Sequence, residues 1–84
     1  MEWISCKDAL PTENGEYLVT YKGTCGNHID VVMWANNLYQ VNKYDFPKDE
    51  YDNVGGFYYS DSEWGYIEDN HTIAWCKVEP YEGE

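Results

Sequence analysis

The pattern of apolar and polar residues keeps a helical period nowhere for more than one or two turns, and in residues 28–35 it alternates with period two. Residues 16–21 are rich in β-branched and aromatic side chains and follow the turn signal Asn14-Gly15, so they predict a strand. Residues 28–35 predict a second, half-buried strand, because every second position on one face is apolar: Ile29, Val31, Met33 and Ala35.

The remaining pattern predicts further short strands joined by tight turns. Asn36-Asn37 is typical of a hairpin turn, which would make residues 38–41 a returning strand. A short helical turn after Ser5 is the most helix that the pattern allows. Three more strands are predicted at residues 57–59, 64–68 and 72–78, with turns at 60–63 and 69–70.

Links this short favour antiparallel neighbours. The prediction is therefore a single mainly β domain over residues 1–84, an antiparallel meander of five or six short strands that forms a curled sheet or a small open barrel. A chain of 84 residues buries roughly 60–65% of the surface that its unfolded form exposes. Its core must therefore depend on large aromatic side chains.

Residues 43–56 interrupt the strand pattern with charges, a proline, two glycines and the aromatics Tyr44, Phe46 and Tyr51. Structureless loops of this length are uncommon inside compact domains and are often functional. The pattern of residues 43–56 allows two interpretations. The segment is either a poorly ordered surface loop or a mobile element that closes over a ligand.

The charge balance limits the partners. Sixteen Asp and Glu oppose five basic residues, all of them Lys, for a net charge of −11. Without Arg, the chain lacks the favoured bidentate ligand for phosphate and guanine, so we expect no direct binding of nucleic acid and no docking on anionic membranes. Neither a membrane span nor a signal peptide is apparent, and three cysteines cannot all pair, which favours reduced thiols in a cytoplasm.

The sequence offers little catalytic chemistry. Cys25 and His28 have a ligand-like spacing, and with His71 and Cys76 or Cys6 they could form a zinc site. A Cys–His nucleophilic pair is a separate possibility. No Cys-x-x-Cys motif or paired His spacing supports either site. We therefore predict that the protein is not an enzyme and carries no metal or cofactor.

The aromatic residues are the most suggestive feature. Four Trp, nine Tyr and two Phe exceed what one small core can hide. Exposed rings serve base stacking or protein contacts, although tyrosines on an outer sheet face also strengthen cross-strand packing. Tyr81 belongs to the same excess. The predicted ligand-binding residues are Trp34, Tyr39, Tyr44, Phe46, Tyr51, Tyr58 and Tyr66, with Lys43 and Lys48, and also Lys22, available for phosphates.

Both ends of the chain resemble a known family. The leading match is Trp3-Ile4-Ser5, Asp8, Leu10-Pro11, Gly15 and Tyr17-Leu18-Val19, and the trailing match is Tyr58-Tyr59, Trp64, Trp75, Val78 and Pro80. These residues resemble domain-of-unknown-function family 551, although Ala74 stands where that family usually has His and Lys77 stands near an expected Pro. Residues 24–56 are poorly covered.

The resemblance implies a phage or prophage accessory protein made in the bacterial cytoplasm. It implies fold-defining roles for Trp3, Pro11, Trp64 and Trp75, and it carries no established chemistry. The first hypothesis is a counter-defence protein that sequesters a nucleotide immune signal in an aromatic-lined pocket.

The alternative is an acidic DNA mimic, similar in action to an anti-CRISPR protein, that blocks a basic host nucleic-acid-binding protein. A purely structural contact is a third possibility, and exposed rings and strand edges also favour a possible homodimer. The carboxylates available to a mimic are Glu13, Glu16, Asp49, Glu50, Asp52, Asp61, Glu63, Glu68 and Asp69.

Overall fold

The computed structural model describes residues 2–78 and has six antiparallel strands in one sheet. Their order across the sheet is β1-β6-β2-β3-β4-β5, so the sheet is not closed. The mainly β prediction is confirmed. The strands are β1 (Ile4–Ser5), β2 (Gly15–Gly23), β3 (Gly26–Ala35), β4 (Gly56–Asp61), β5 (Gly65–Asp69) and β6 (Thr72–Lys77). Pro80 and Tyr81 lie outside the described residues.

The sheet bends back on itself between its two ends. β2 to β5 form a meander, but β6 pairs with β2, and only Asn70 and His71 link β5 to β6. In a flat sheet these strands would lie four spacings apart, about 19 Å, whereas three Cα steps span at most about 11 Å. The Asp69 carboxylate stabilises this link by accepting from the His71 N–H at 2.8 Å and the Thr72 hydroxyl at 3.0 Å.

The first core cluster lies on one face of the sheet. Tyr17 meets Trp75 edge-on at 5.3 Å between ring centroids, and Trp34 meets Phe57 at 4.8 Å. Val19 and Val32 fill the space beside these rings. All of these side chains come from the paired strands β2, β3, β4 and β6, so the core depends on the completed sheet.

The predicted buried face of β3 is wrong. Val32 and Trp34 are the core positions, whereas Ile29 and Val31 are 65% and 48% exposed. The reason is that residues 26–31 form the outer part of a hairpin and extend beyond the core. Both faces of the strand are exposed there, so the alternation of apolar residues does not indicate a buried face. Only Ala35, at the inner end of the predicted face, is buried, and it belongs to a second cluster.

The predicted strand at residues 38–41 is also wrong. Leu38–Gln40 is a 3-10 turn, and Asn37 is its N-cap instead of part of a hairpin turn. The Asn37 side chain accepts from the Tyr39 N–H at 3.1 Å, and the Leu38 N–H donates to the Val54 carbonyl at 2.9 Å. These bonds direct the fully buried Leu38 side chain against Ala35 instead of along a strand.

Residues 43–56 are not a poorly ordered loop. Phe46 is 2% exposed and joins Ala35 and Leu38 in the second core cluster, on the sheet face opposite Trp34. One helical turn, α1 (Lys48–Tyr51), follows it. Asp45 ties the segment to the sheet, since its carboxylate accepts from the Tyr66 N–H at 3.1 Å, beside Gly65 with its φ of 82°.

The N-terminal segment contains an element that the pattern did not predict. β1 pairs with β6 through Ile4 opposite Trp75 and Ser5 opposite Ala74. The predicted turn after Ser5 is present, because the Asp8 and Ala9 N–H groups donate to the Ser5 carbonyl at 2.9 and 3.1 Å. The Trp75 indole N–H donates to the Ala9 carbonyl at 2.9 Å and holds this turn against the core.

Candidate functional site

Most of the predicted aromatic site is a chain of rings that contact one another. Phe46 meets Tyr51 at 5.1 Å and Tyr58 at 6.1 Å between centroids, and Tyr58 meets Tyr66 at 5.7 Å, all edge-on. We call these four residues the ring chain. Each of these rings already packs against another ring of the chain. A base could therefore enter between them only if the second core cluster opened.

Two phenol groups of the ring chain are held in the neutral form. Burial raises the pKa of Tyr58 above its ordinary value of 10.0, and Tyr66 adds to this. Partial burial also raises the pKa of Tyr51, and the Glu68 carboxylate, which accepts from its hydroxyl at 3.3 Å, raises it further. The hydroxyl of Tyr51 is therefore a donor within the fold.

Trp34 is a buried core ring, not an exposed stacking platform. Its indole N–H donates to Asn36 Oδ1 at 2.8 Å. Asn36 in turn donates its side-chain amide to the Thr12 carbonyl at 2.8 Å and its backbone N–H to Asn14 Oδ1 at 2.7 Å. These bonds tie the end of β3 to the segment that precedes β2.

The remaining predicted residues lie outside the ring chain. Tyr44 is 83% exposed, and the Lys43 ammonium lies 5.4 Å from its ring centroid. Lys48 is exposed at the start of α1, and Tyr39 is half-buried in the 3-10 turn. A hollow of about 350 Å³ contains Trp34 and Tyr58 in its wall, but no lysine is among the described residues that line it.

A different surface brings lysines and an aromatic ring together. A groove of about 770 Å³ crosses β1, β6 and the end of the β2–β3 hairpin. Among the described residues that line it, none is a carboxylate, although the chain carries sixteen. We call it the lysine groove, and its residues are Trp3, Ser5, Cys6, Lys7, Lys22, Asn27, Thr72, Ile73 and Ala74.

Strand pairing places these side chains on one face. Ser5 is opposite Ala74, and Lys22 is opposite Asn27, so each pair shares a face of the sheet. The register shift beside Thr20 leaves Ile73 unpaired with β2, and there the Cys6 N–H donates to the Ile73 carbonyl at 2.9 Å. This irregularity widens the surface between β1 and the hairpin.

Trp3 supplies the ring of the groove. The resemblance implied a fold-defining role for it, but the side chain is 41% exposed. Lys7 follows β1 in the turn, where its N–H donates to the Ser5 hydroxyl at 3.2 Å. Burial, and then the Asp69 carboxylate, raise the pKa of the neighbouring Cys6 thiol. Cys6 is therefore a neutral wall residue and not an activated nucleophile.

Sequence reasoning did not find this groove. Lys7 and Lys22 lie far apart in sequence, and β6 joins them only because it pairs with both β1 and β2. The available signal was the Trp3-Ile4-Ser5 start, which can pair as a strand. Within residues 2–78, no three His, Cys, Asp or Glu side chains converge as metal ligands, and no helix is long and apolar enough to cross a membrane.

These features define a small acidic protein built on one open antiparallel sheet, with a lysine-bearing groove on its surface. The chain belongs to the family described as "Protein of unknown function (DUF551)", whose family model matches residues 2–79. The resemblance inferred from the two ends of the chain is thereby confirmed, and it extends across the middle as well. No curated protein and no solved structure matches the chain.

Proposed function

We propose that this protein works by sequestering a small phosphorylated ligand with an aromatic base, a nucleotide, in the lysine groove. One observation carries the proposal. In a chain with a net charge of −11, two of the five lysines and a partly exposed tryptophan meet in a groove without a carboxylate among its described lining residues. Such a combination suits an anion with a flat ring.

Each kind of lining residue has a role in this proposal. Trp3 stacks on the base, which contributes about 1–3 kcal/mol for exposed rings. Lys7 and Lys22 pair with phosphate oxygens as point charges. Ser5, Asn27 and Thr72 offer donors and acceptors to ribose hydroxyls. Lys22 and base stacking belong to the prediction from sequence, but the groove replaces Tyr44, Phe46 and Tyr51 as the site.

The overall negative charge acts against this ligand at long range. At physiological salt, however, charges more than about 8 Å apart are largely screened. The lysines that line the groove then oppose only nearby carboxylates such as Asp69, which accepts from the Thr72 hydroxyl at 3.0 Å. Affinity should consequently rise, not fall, when moderate salt screens the distant carboxylates, up to the point at which the local ion pairs weaken.

The cellular role that fits is counter-defence by a phage-encoded protein in the bacterial cytoplasm. A protein that binds a nucleotide immune signal stoichiometrically, and returns it unchanged, lowers the free signal without catalysis. This setting rests on the resemblance to phage and prophage proteins, and the binding chemistry rests on the groove.

The test begins with purification of the tagged protein from infected bacteria, followed by mass spectrometry of the denatured eluate. We expect a near-stoichiometric nucleotide. Calorimetry with ATP, ADP-ribose, cyclic AMP and cyclic di-GMP then compares the double variant Lys7→Gln/Lys22→Gln with the matched control Lys43→Gln/Lys48→Gln. Loss of binding only in the groove variant supports the proposal, and equal effects, or no binding of any nucleotide, overturn it.

Cys6 gives a second measurement on the same protein. Because it lines the groove whereas Cys25 is exposed at the tip of the β2–β3 hairpin, a bound nucleotide should slow alkylation of Cys6 and leave Cys25 unchanged. Equal protection of both thiols would indicate a global change instead of occupancy of the groove.

The alternative proposal is an acidic mimic of DNA that blocks a basic nucleic-acid-binding defence protein. It is supported by exposed carboxylates such as Asp49, Glu50 and Glu63. Electrostatic pairing of this kind weakens steeply with salt. A single enriched DNA- or RNA-handling protein that elutes in high salt, without a nucleotide, would favour this alternative.

A further inference from the structure

The outer part of β3 has an open hydrogen-bonding edge. β3 pairs with β2 from Gly26 to Trp34, but in the described residues it pairs with β4 only through Met33, Trp34 and Ala35. β4 likewise continues to Asp61, where β5 is the only strand beside it within residues 2–78. The two strands therefore diverge, and a cleft of about 410 Å³ opens between them.

The backbone of β3 presents donors and acceptors to this cleft. The Val31 N–H is bonded to Asp30 Oδ1 at 2.7 Å, so it points away from β2. In an antiparallel ladder the N–H and C=O of one residue point to the same side, and successive residues alternate. Ile29 must therefore also present its N–H and C=O to the open edge.

Side chains on the two faces of this edge differ in chemistry. Asp30 lines the cleft with Asp69, Tyr59 and His71. Ile29 and Val31 lie on the opposite face of the strand and are exposed apolar residues, although Val31 also lines the cleft. A strand added here would place alternate side chains beside carboxylates on one face and beside β-branched residues on the other.

We propose that the open edge of β3 binds an extended basic segment of a partner protein as an added strand. The segment has basic residues at every second position, facing Asp30 and Asp69, and β-branched residues between them, facing Ile29 and Val31. On binding, Val31 exchanges the Asp30 carboxylate for a partner carbonyl, and the released carboxylate pairs with a partner Lys or Arg. Main-chain bonds supply affinity, and the alternating side chains supply specificity.

This surface is separate from the proposed nucleotide site. No described residue lines both the cleft and the lysine groove. The two sites adjoin at one point, where the Asp69 carboxylate of the cleft accepts from the Thr72 hydroxyl of the groove at 3.0 Å. Binding of the basic segment is therefore measured without nucleotide, and its failure would not bear on the nucleotide proposal.

The experiment uses the full chain, labelled with 15N, and the peptide acetyl-Lys-Val-Lys-Val-Lys-Val-Lys-amide. We expect amide shifts concentrated at Ile29 and Val31, and at least about tenfold slower hydrogen exchange there. The reason is that the Ile29 N–H gains a partner carbonyl and the Val31 N–H exchanges the exposed Asp30 carboxylate for one. The same peptide N-methylated at every central residue keeps its charge but loses its donors, so its binding should be lost.

Two variants separate this edge from general charge attraction. Asp30→Asn should weaken the peptide about threefold to fivefold at low salt, the size of one exposed ion pair. Asp49→Asn, on α1, should leave the affinity unchanged. Equal binding of the N-methylated peptide, equal effects of the two variants, or no binding overturns the proposal. So does a dimer in sedimentation that protects Ile29 and Val31 without peptide, since the occupant is then a second copy.

Discussion

The ring chain and the lysine groove use the same kind of side chain in opposite ways. In the ring chain, Phe46 and Tyr58 lie within contact distance of other rings, and Phe46 is almost fully buried. In the groove, Trp3 lies among lysines and small polar side chains. An excess of aromatics therefore does not by itself locate a binding site. What matters is whether the partners of each ring already belong to the fold.

The largest change in stability should follow from a substitution that breaks the ring chain. Phe46→Ala removes the ring that contacts both Tyr51 and Tyr58, and a cavity of this kind costs about 3–5 kcal/mol of unfolding free energy. Tyr44→Ala is the matched control, since its exposed ring should change stability by less than about 0.5 kcal/mol. Urea unfolding followed by fluorescence measures both. Equal costs would show that the second core cluster does not stabilise the fold.

The next effect concerns the groove. Trp3→Ala should weaken nucleotide binding by about 1–3 kcal/mol, the contribution of one stacked base, while the unfolding midpoint moves little. Trp64→Ala is the control, because Trp64 is 75% exposed in the β4–β5 turn and does not line the groove. Calorimetry with the nucleotide recovered from the cell measures both variants. Similar losses in the two would remove the distinction between ring chain and groove.

A smaller change in stability should follow from removing the polar contact at one end of the ring chain. Tyr51→Phe keeps the ring against Phe46 but removes the hydrogen bond to Glu68. We expect a cost of about 0.5–1 kcal/mol. A double-mutant cycle with Glu68→Ala isolates this contact. A coupling energy near zero would mean that ring packing alone holds Tyr51.

The smallest effect is a pH dependence. Tyr51 and Tyr58 have pKa values raised above 10.0 in the folded protein, so the folded state binds more protons than the unfolded state in alkaline solution. Their contribution to stability is complete below pH 10 and is lost as the pH rises through the folded values. Unfolding curves between pH 9 and 11.5 should decline less for Tyr51→Phe/Tyr58→Phe than for wild type. Parallel curves would contradict this.

The strands that sequence predicted best carry their own turn signals. Asn14-Gly15 and the β-branched and aromatic residues after it marked β2, and a two-residue link marked the start of β6. Residues 38–41 were mispredicted because tertiary contacts decide their conformation. Leu38 packs against Ala35, and its N–H finds Val54 instead of a neighbouring strand.

The candidate site was harder to predict than the fold. Local sequence gave no reason to place Lys7 beside Lys22, because only the crossing of β6 to the far side of β2 joins them. Aromatic content was visible at once, but its division between core and surface depends on packing. The same limit applies to β3, where period two was correct and the exposed half of the strand was not apparent.

The position of β6 between β1 and β2 affects how the chain reaches its structure. β2 can form its hairpin with β3 early. Its other edge stays unpaired until distant residues are available, such as Lys77, which pairs with Tyr17 and lies about sixty positions away. Closing so long a loop before any of its contacts form is slow. During synthesis, the hairpin should therefore persist as a half-paired intermediate with Val19 and Tyr17 uncovered, and rapid folding should begin only once residue 77 has left the ribosome.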